Sequence, residues 1–329
     1  MNKLIAFIVI IILVAAGIYL FAEKPFSSSS QDEESLQDVA ADVQDQQEDV
    51  VEEIDEKETV IGTSVEGRDI VAYHYGGGEE TSLNKILLIG GIHGGYGWNT
   101  SLLGYELMDF FERNSDQISS STRVTIIPTL NPDGLHEIIG IEGRFSAADA
   151  PSEGTDTIPG RFNANGVDLN RNFECDWQSK STWQTREVSG GSAAFSEPEA
   201  QAIRDYVSEH KPSAVVVYYA AAGGVFASNC HEGVLPDTTR LTELYAEASN
   251  YRPYQEFSFY DITGDMVNWL AKEGIPAISV LLTTHTDSEF GKNRAGVEAL
   301  LEFYGDRTED ASEILMPDNI DGEEAPNLQ

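Results

Sequence analysis

"GRFNANGVDLNRNF", Gly160 to Phe173, sets two arginines, four asparagines and an aspartate among glycines and apolar residues. Side chains of this kind do one of two things. They brace loops through hydrogen bonds, or they face a cleft and hold a ligand. Arg161 and Arg171 sharpen the choice, because a guanidinium withdrawn from water needs an anionic or carbonyl partner.

Four apolar runs surround this stretch in the chain: "KILLIGG" near Leu87, "RVTIIPTL" near Ile126, "SAVVVYY" near Val216 and "AISVLLT" near Val280. Their unbroken apolar character suits strands buried on both faces. Between them lie helical patterns. "NTSLLGYELMDFFERN" has Asn99 or Thr100 as a cap and Leu103, Leu107, Phe110 and Phe111 facing inward. "SEPEAQAIRDYVSEH" opens on Ser196, Pro198 and Glu199, a good helix start. "DTTRLTELYAEASN", "ITGDMVNWLAKEG" and "KNRAGVEALLEFY" complete the set. Strands alternating with helices predict an α/β fold, with a mostly parallel central sheet and helices on both faces. Ligands of such sheets bind beyond the carboxyl ends of the strands. His93, in the glycine-rich turn "GGIHGGYGWNT" (Gly90 to Thr100), falls at such an end, as do Tyr219 and the close of "SVLLTT".

The net charge of -36 and isoelectric point near 4.2 exclude a general nucleic-acid binder, since a phosphate backbone would be repelled. The ends differ from the body. "LIAFIVIIILVAAGIYLF", Leu4 to Phe21, is uncharged and apolar, and as a helix it would span about 27 Å, close to the hydrocarbon thickness. Residues 1–25 therefore read as a transmembrane anchor or uncleaved signal. Lys3 before the run and acids after it orient the body to the outside. Residues 26–58 read as an acidic disordered stalk with too little apolar surface to offset chain entropy. Residues 59–304 form the folded domain, and residues 305–329 an acidic mobile tail. Cys175 and Cys230 are the only cysteines, and outside the membrane they are free to form a disulfide. Cys230 beside His231 raises a thiol hydrolase as an alternative, but adjacent side chains in extended chain point apart.

The quoted stretch closely resembles the signature of the zinc carboxypeptidases. Other pieces agree, in order. "GTSVEGRDI" resembles the family's N-terminal segment and "NPDG" (Asn131 to Gly134) its second motif. "FSEPEA" precedes a helix as it does there, and "AAGGVFAS" and "ITGDMVNWLAKEGIPAISV" look like the third-ligand and general-base regions. The resemblance covers about residues 59 to 304. It implies a zinc held by two histidines and a glutamate with one position open for water, and a second glutamate as general base. It also implies an arginine that polarises the scissile carbonyl, and an Asn-Arg pair that binds the substrate's terminal carboxylate, a planar anion suited to the guanidinium fork.

Carried over residue by residue, the resemblance divides. Arg161 matches the polarising arginine, Asn170 and Arg171 the carboxylate clamp, and Tyr260 an aromatic contact of the cleft. His93 matches the first zinc ligand. The glutamate ligand should follow three or four residues later, where Tyr96 and Gly97 stand. Tyr219 occupies the second histidine's position and Leu281 the general base's. Glu106 lies about 13 Å beyond Gly97 along a helix. His93 then reads as the remnant of a metal site whose other members, at Gly97, Tyr219 and Leu281, are degenerate, and no cofactor is expected. The implied function is a membrane-anchored, extracytoplasmic, non-catalytic pseudo-peptidase that binds peptide or cell-wall peptide C-termini. The alternative is an active metallocarboxypeptidase with atypical zinc ligands.

Overall fold

In the computed structural model, residues 57–79 and 81–305 are described. The predicted anchor, nearly all of the stalk and the acidic tail beyond Gly305 lie outside them. Among the described residues no helix is long and apolar enough to cross a membrane. Glu58, the last residue of the predicted stalk, belongs to a strand.

Among the described residues ten strands form: β1 (Glu58–Thr63), β2 (Asp69–Gly76), β3 (Asn84–Ile89), β4 (Thr122–Ile127), β5 (Lys180–Trp183), β6 (Arg186–Ser189), β7 (Ala214–Ala220), β8 (Gly224–Ala227), β9 (Pro253–Tyr254) and β10 (Ala277–Leu282). Eight make one sheet in the order β1-β2-β4-β3-β7-β10-β8-β9, and β5-β6 is a separate hairpin. The pairings β3-β4, β3-β7, β7-β10 and β8-β9 are parallel, while β1-β2, β2-β4 and β8-β10 are antiparallel. The sheet is thus mixed, its parallel centre made of the four apolar runs. The edge strands escape the sequence pattern because they are short or half exposed, with little of the apolar continuity that marks β3, β4, β7 and β10.

The helices are α1 (Trp98–Arg113), α2 (Pro132–Ile139), α3 (Pro198–His210), α4 (Pro236–Ser249), α5 (Met266–Lys272) and α6 (Phe290–Gly305). They cover both faces. On one, Leu103, Leu107 and Phe111 of α1, Leu241 of α4 and Leu300 of α6 pack with Leu88, Val216, Val280 and Leu282. On the other, Ile203 and Tyr206 of α3 and Trp269 of α5 pack with Leu87, Val215, Val217, Tyr219 and Leu281. The two-residue strand period sorts alternate side chains to the two faces. It puts Leu281 on the same face as Tyr219, with Leu282 on the opposite one.

One local expectation fails. α1 begins at Trp98 with Gly97 as its cap, so Asn99 and Thr100 lie inside the first turn. Their side chains have other partners. Asn99 Nδ2 donates to the carbonyls of Thr284 and Asp287, and Thr100 Oγ1 donates to the Gly97 carbonyl. α2, inside the "NPDG" motif, has no sequence counterpart among the predicted helices. Pro132 starts it and the Asn131 side chain accepts from Gly134 N–H, a full capping signature in eight residues.

Glycines dock the motifs against one another. A Cβ on Gly94 would stand 2.6 Å from the Gly160 carbonyl oxygen, and one on Gly134 would stand 2.4 Å from the same atom. The turn carrying His93, the helix of "NPDG" and the turn carrying Arg161 therefore meet backbone to backbone, with no room for a side chain. Gly134→Ala should lower stability by about 1–3 kcal/mol through overpacking, read from urea unfolding. An unchanged midpoint would show that this junction is looser than described.

Candidate active-site cavity

A cavity of about 800 Å³ opens at the carboxyl ends of β3, β7 and β10. His93 follows β3 through Gly90 and Gly91, at the head of a short 3-10 turn, Gly94–Gly97. Tyr219 and Leu281 sit side by side on β7 and β10 in parallel register. All three line the cavity, together with Arg161, Asn170, Arg171 and Tyr260. The structure thus gathers almost every site residue named from the sequence. Of the two positions considered for the glutamate ligand, it brings Tyr96 to the cavity wall and not Gly97. A Cβ on Gly97 would instead meet the His93 Cβ and the Thr100 side chain, each at 3.7 Å.

Other candidates fall away from the wall. Glu106 accepts from the Ser288 hydroxyl and does not line the cavity. Cys175 and Cys230 form a disulfide with Cα atoms 6.1 Å apart. That removes the thiol on which the hydrolase alternative depended. The same two sulfurs and His231 are the one group of three metal-donor side chains within reach of each other among the described residues, and the disulfide takes both thiols.

The electrostatic centre is Asp168, a residue of the opening stretch that sequence reasoning passed over. It is wholly buried. Arg161 reaches its Oδ2 with Nε at 2.9 Å and Nη2 at 2.8 Å, a two-pronged ion pair of the strong kind. Asn170 N–H donates to Oδ1 at 3.2 Å, and His93 Nε2 lies 3.6 Å from Oδ1. Burial opposes the charge, but Arg161 and His93 hold the carboxyl well below the usual carboxylate range. The guanidinium of Arg161 lies 4.2 Å from the Trp183 ring centre and 5.5 Å from that of Tyr96. Trp183 comes from the β5-β6 hairpin, which carries no periodic signal in the sequence.

Arg171 is held differently. It is fully buried, and its Nε and Nη2 donate to the Thr182 carbonyl at 3.1 and 3.0 Å while Nη1 donates to the Asn170 carbonyl at 2.6 Å. These partners are backbone oxygens, not carboxylates. The Tyr260 ring centre lies 6.0 Å from its guanidinium carbon. The Asn170 amide donates to Asp265 Oδ2 at 2.8 Å, and burial raises the Asp265 carboxyl above its ordinary value.

A catalytic zinc of the usual kind needs three protein donors around one open position. Here the matched positions offer one imidazole, two phenols and an alkyl chain. Burial pushes the Tyr219 hydroxyl well above its ordinary range and raises that of Tyr96, so with no metal cation beside them both are neutral phenols. The residues present do not make up the donor set.

Burial, reinforced by the positive charge of Arg161, lowers the His93 imidazole to about 4. The unfolded chain, with the ordinary value near 6.5, therefore takes up the proton first as pH falls. Stability tied to neutral His93 is complete above about pH 6.5 and is lost down to about pH 4, to the extent of about 3 kcal/mol. Burial shifts His285 in the same direction. Removing the imidazole with His93→Gln should reduce the loss of urea stability between pH 7 and pH 4.5 relative to the unsubstituted chain. Equal acid sensitivity in the two would contradict the buried, neutral imidazole.

Comparison with known proteins agrees with this architecture. The zinc carboxypeptidase family profile matches residues 39–289. The human carboxypeptidase N catalytic chain is 36% identical over 127 residues, which are 34% of this chain and 25% of that protein. The chain thus spans about a quarter of that relative's length. Among solved structures, murein-tripeptide amidase MpaA from Escherichia coli O157 superposes with a TM-score of 0.51 at 20% identity, covering 78% of this chain and 94% of the amidase. Carboxypeptidase A from Helicoverpa armigera superposes with a TM-score of 0.56 at 18% identity, covering 75% of this chain and 67% of that one. By its fold, its ordered motifs and the span of the family match, the chain belongs to the zinc carboxypeptidase family.

Proposed function

We propose that this family member is a non-catalytic peptide-binding domain that takes peptide C-termini into the cavity. Arg171 carries the proposal. It is a buried cation at the cavity wall with backbone carbonyls and, among the described residues, no carboxylate within ion-pair distance, whereas Arg161 is neutralised by Asp168. A terminal carboxylate would supply the missing anion in the geometry a guanidinium favours. Asn170 beside it and Tyr260 above it complete the binding wall, with Arg161 set toward the peptide carbonyl.

Hydrolysis has lost its support at the same place. Tyr96, Tyr219 and Leu281 supply neither a metal-binding anion nor a general base, and loss of a base alone costs about 10²–10⁴ in rate. The apolar N-terminal run, together with a disulfide suited to an oxidising compartment, supports a membrane-anchored domain facing outward. The likeness to a murein-tripeptide amidase makes cell-wall peptides a natural class to try. One observation favours the second reading, an active enzyme with replacement ligands. His285 lines the same cavity, and its Nδ1 is buried without a hydrogen-bond partner.

Calorimetry of the full chain with a tripeptide and its C-terminally amidated form separates the readings. The free carboxylate should bind about ten-fold or more tighter, as a charge-assisted hydrogen bond implies, and Arg171→Ala should abolish the difference. No released C-terminal residue should accumulate. Chelator-sensitive turnover would establish the active reading. Equal binding of both peptides by the unsubstituted chain and by Arg171→Ala would remove the C-terminus reading.

A further inference from the structure

Tyr219 stands where the family has a zinc ligand, and its hydroxyl has a partner of its own. It donates to Asn170 Oδ1 at 3.2 Å. The same oxygen accepts the Met266 backbone N–H at 3.2 Å. A backbone N–H can only donate, so Oδ1 must face Met266 and Nδ2 must face the Asp265 carboxylate. With Oδ1 taken by two donors and one Nδ2 hydrogen given to Asp265, Asn170 keeps a single N–H. Arg171 uses three of its five N–H groups on the Thr182 and Asn170 carbonyls. The remaining donors of this wall are therefore few and belong to adjacent residues.

We infer that Tyr219 is a positioning residue for carboxylate recognition, its hydroxyl fixing the tilt of the Asn170 amide so that the free N–H and the Arg171 fork address the same pair of oxygens. This rests on the proposal that peptide C-termini bind here. A ring that only filled the space left by a metal would need no hydroxyl, and a buried hydroxyl without a partner is costly. Tyr219 is 6% exposed, and its hydroxyl remains a donor across the whole working pH range because burial keeps it from ionising. The ring also sits 5.6 Å from that of His93, so the side chain that excludes the metal is the one that braces the clamp. The side chain at this position thus has a different role: where the family has a lone-pair donor to a cation, Tyr219 is a hydrogen-bond donor to an amide oxygen.

Tyr219→Phe keeps the ring and removes the hydroxyl. In full-chain calorimetry it should weaken binding of the free-carboxylate tripeptide roughly three- to ten-fold, the effect of one hydrogen bond, and leave the amidated tripeptide unchanged. An equal loss for both peptides would mark a general structural effect and overturn the inference. So would carboxylate affinity equal to that of the unsubstituted chain. Urea unfolding of Tyr219→Phe, Asn170→Ala and the double variant decides the hydrogen bond without any peptide. The double should lose less stability than the two singles together, and strict additivity would overturn the inference. If the unsubstituted chain fails to discriminate the peptides while the cycle is non-additive, the C-terminus proposal fails, the role in carboxylate recognition falls with it, and the Tyr219–Asn170 contact stands.

Discussion

Asp168 is the charge around which the site is built. A carboxylate with no exposure persists only where cations and N–H donors surround it. Arg161 supplies two of these contacts and the Asn170 backbone a third. In satisfying Asp168, the chain fixes three things together: the Arg161 guanidinium between Trp183 and Tyr96, the short turn that presents Asn170 and Arg171, and the facing edge of His93. Removing the carboxylate would leave Arg161 buried without its anion, a change far more costly than losing a surface pair. The ion pair needs no metal, and its geometry accounts for the order of the cavity wall as it stands.

Around this centre, backbone does the positioning. Gly94, Gly134 and Gly160 allow three motifs that are far apart in sequence to touch through main-chain atoms. The parallel register of β7 and β10 puts Tyr219 beside Leu281. We propose that the family scaffold is kept at the places that aim side chains and changed in the side chains that are aimed. Here Tyr219 is packed and hydrogen-bonded, and Leu281 joins the core of its face.

Much of this was legible in the residues. The four central strands carry unbroken apolar runs, and the motifs lie in the family's order, so the parallel centre of the sheet and most of the cavity's named residues follow from the sequence. Arg161, Asn170, Arg171 and Tyr260 were placed by motif alone. What escaped did so for physical reasons. Tyr96 and Gly97 are adjacent, and only the 3-10 turn decides which one faces the cavity. Asp168 and Asp265 look like ordinary loop and cap residues until burial shows that each holds a partner. Trp183 sits on a four-residue strand whose sequence has no pattern long enough to read.

The central claim is that the donor set for zinc has been replaced while the scaffold that would aim it remains. Zinc titration of the full chain beside a Tyr96→Glu, Tyr219→His, Leu281→Glu variant, after chelation and dialysis of both, tests it most directly. The account predicts one zinc per chain in the variant and no stoichiometric zinc in the unsubstituted protein. Stoichiometric zinc in the unsubstituted protein, lost on His93→Gln, would contradict it.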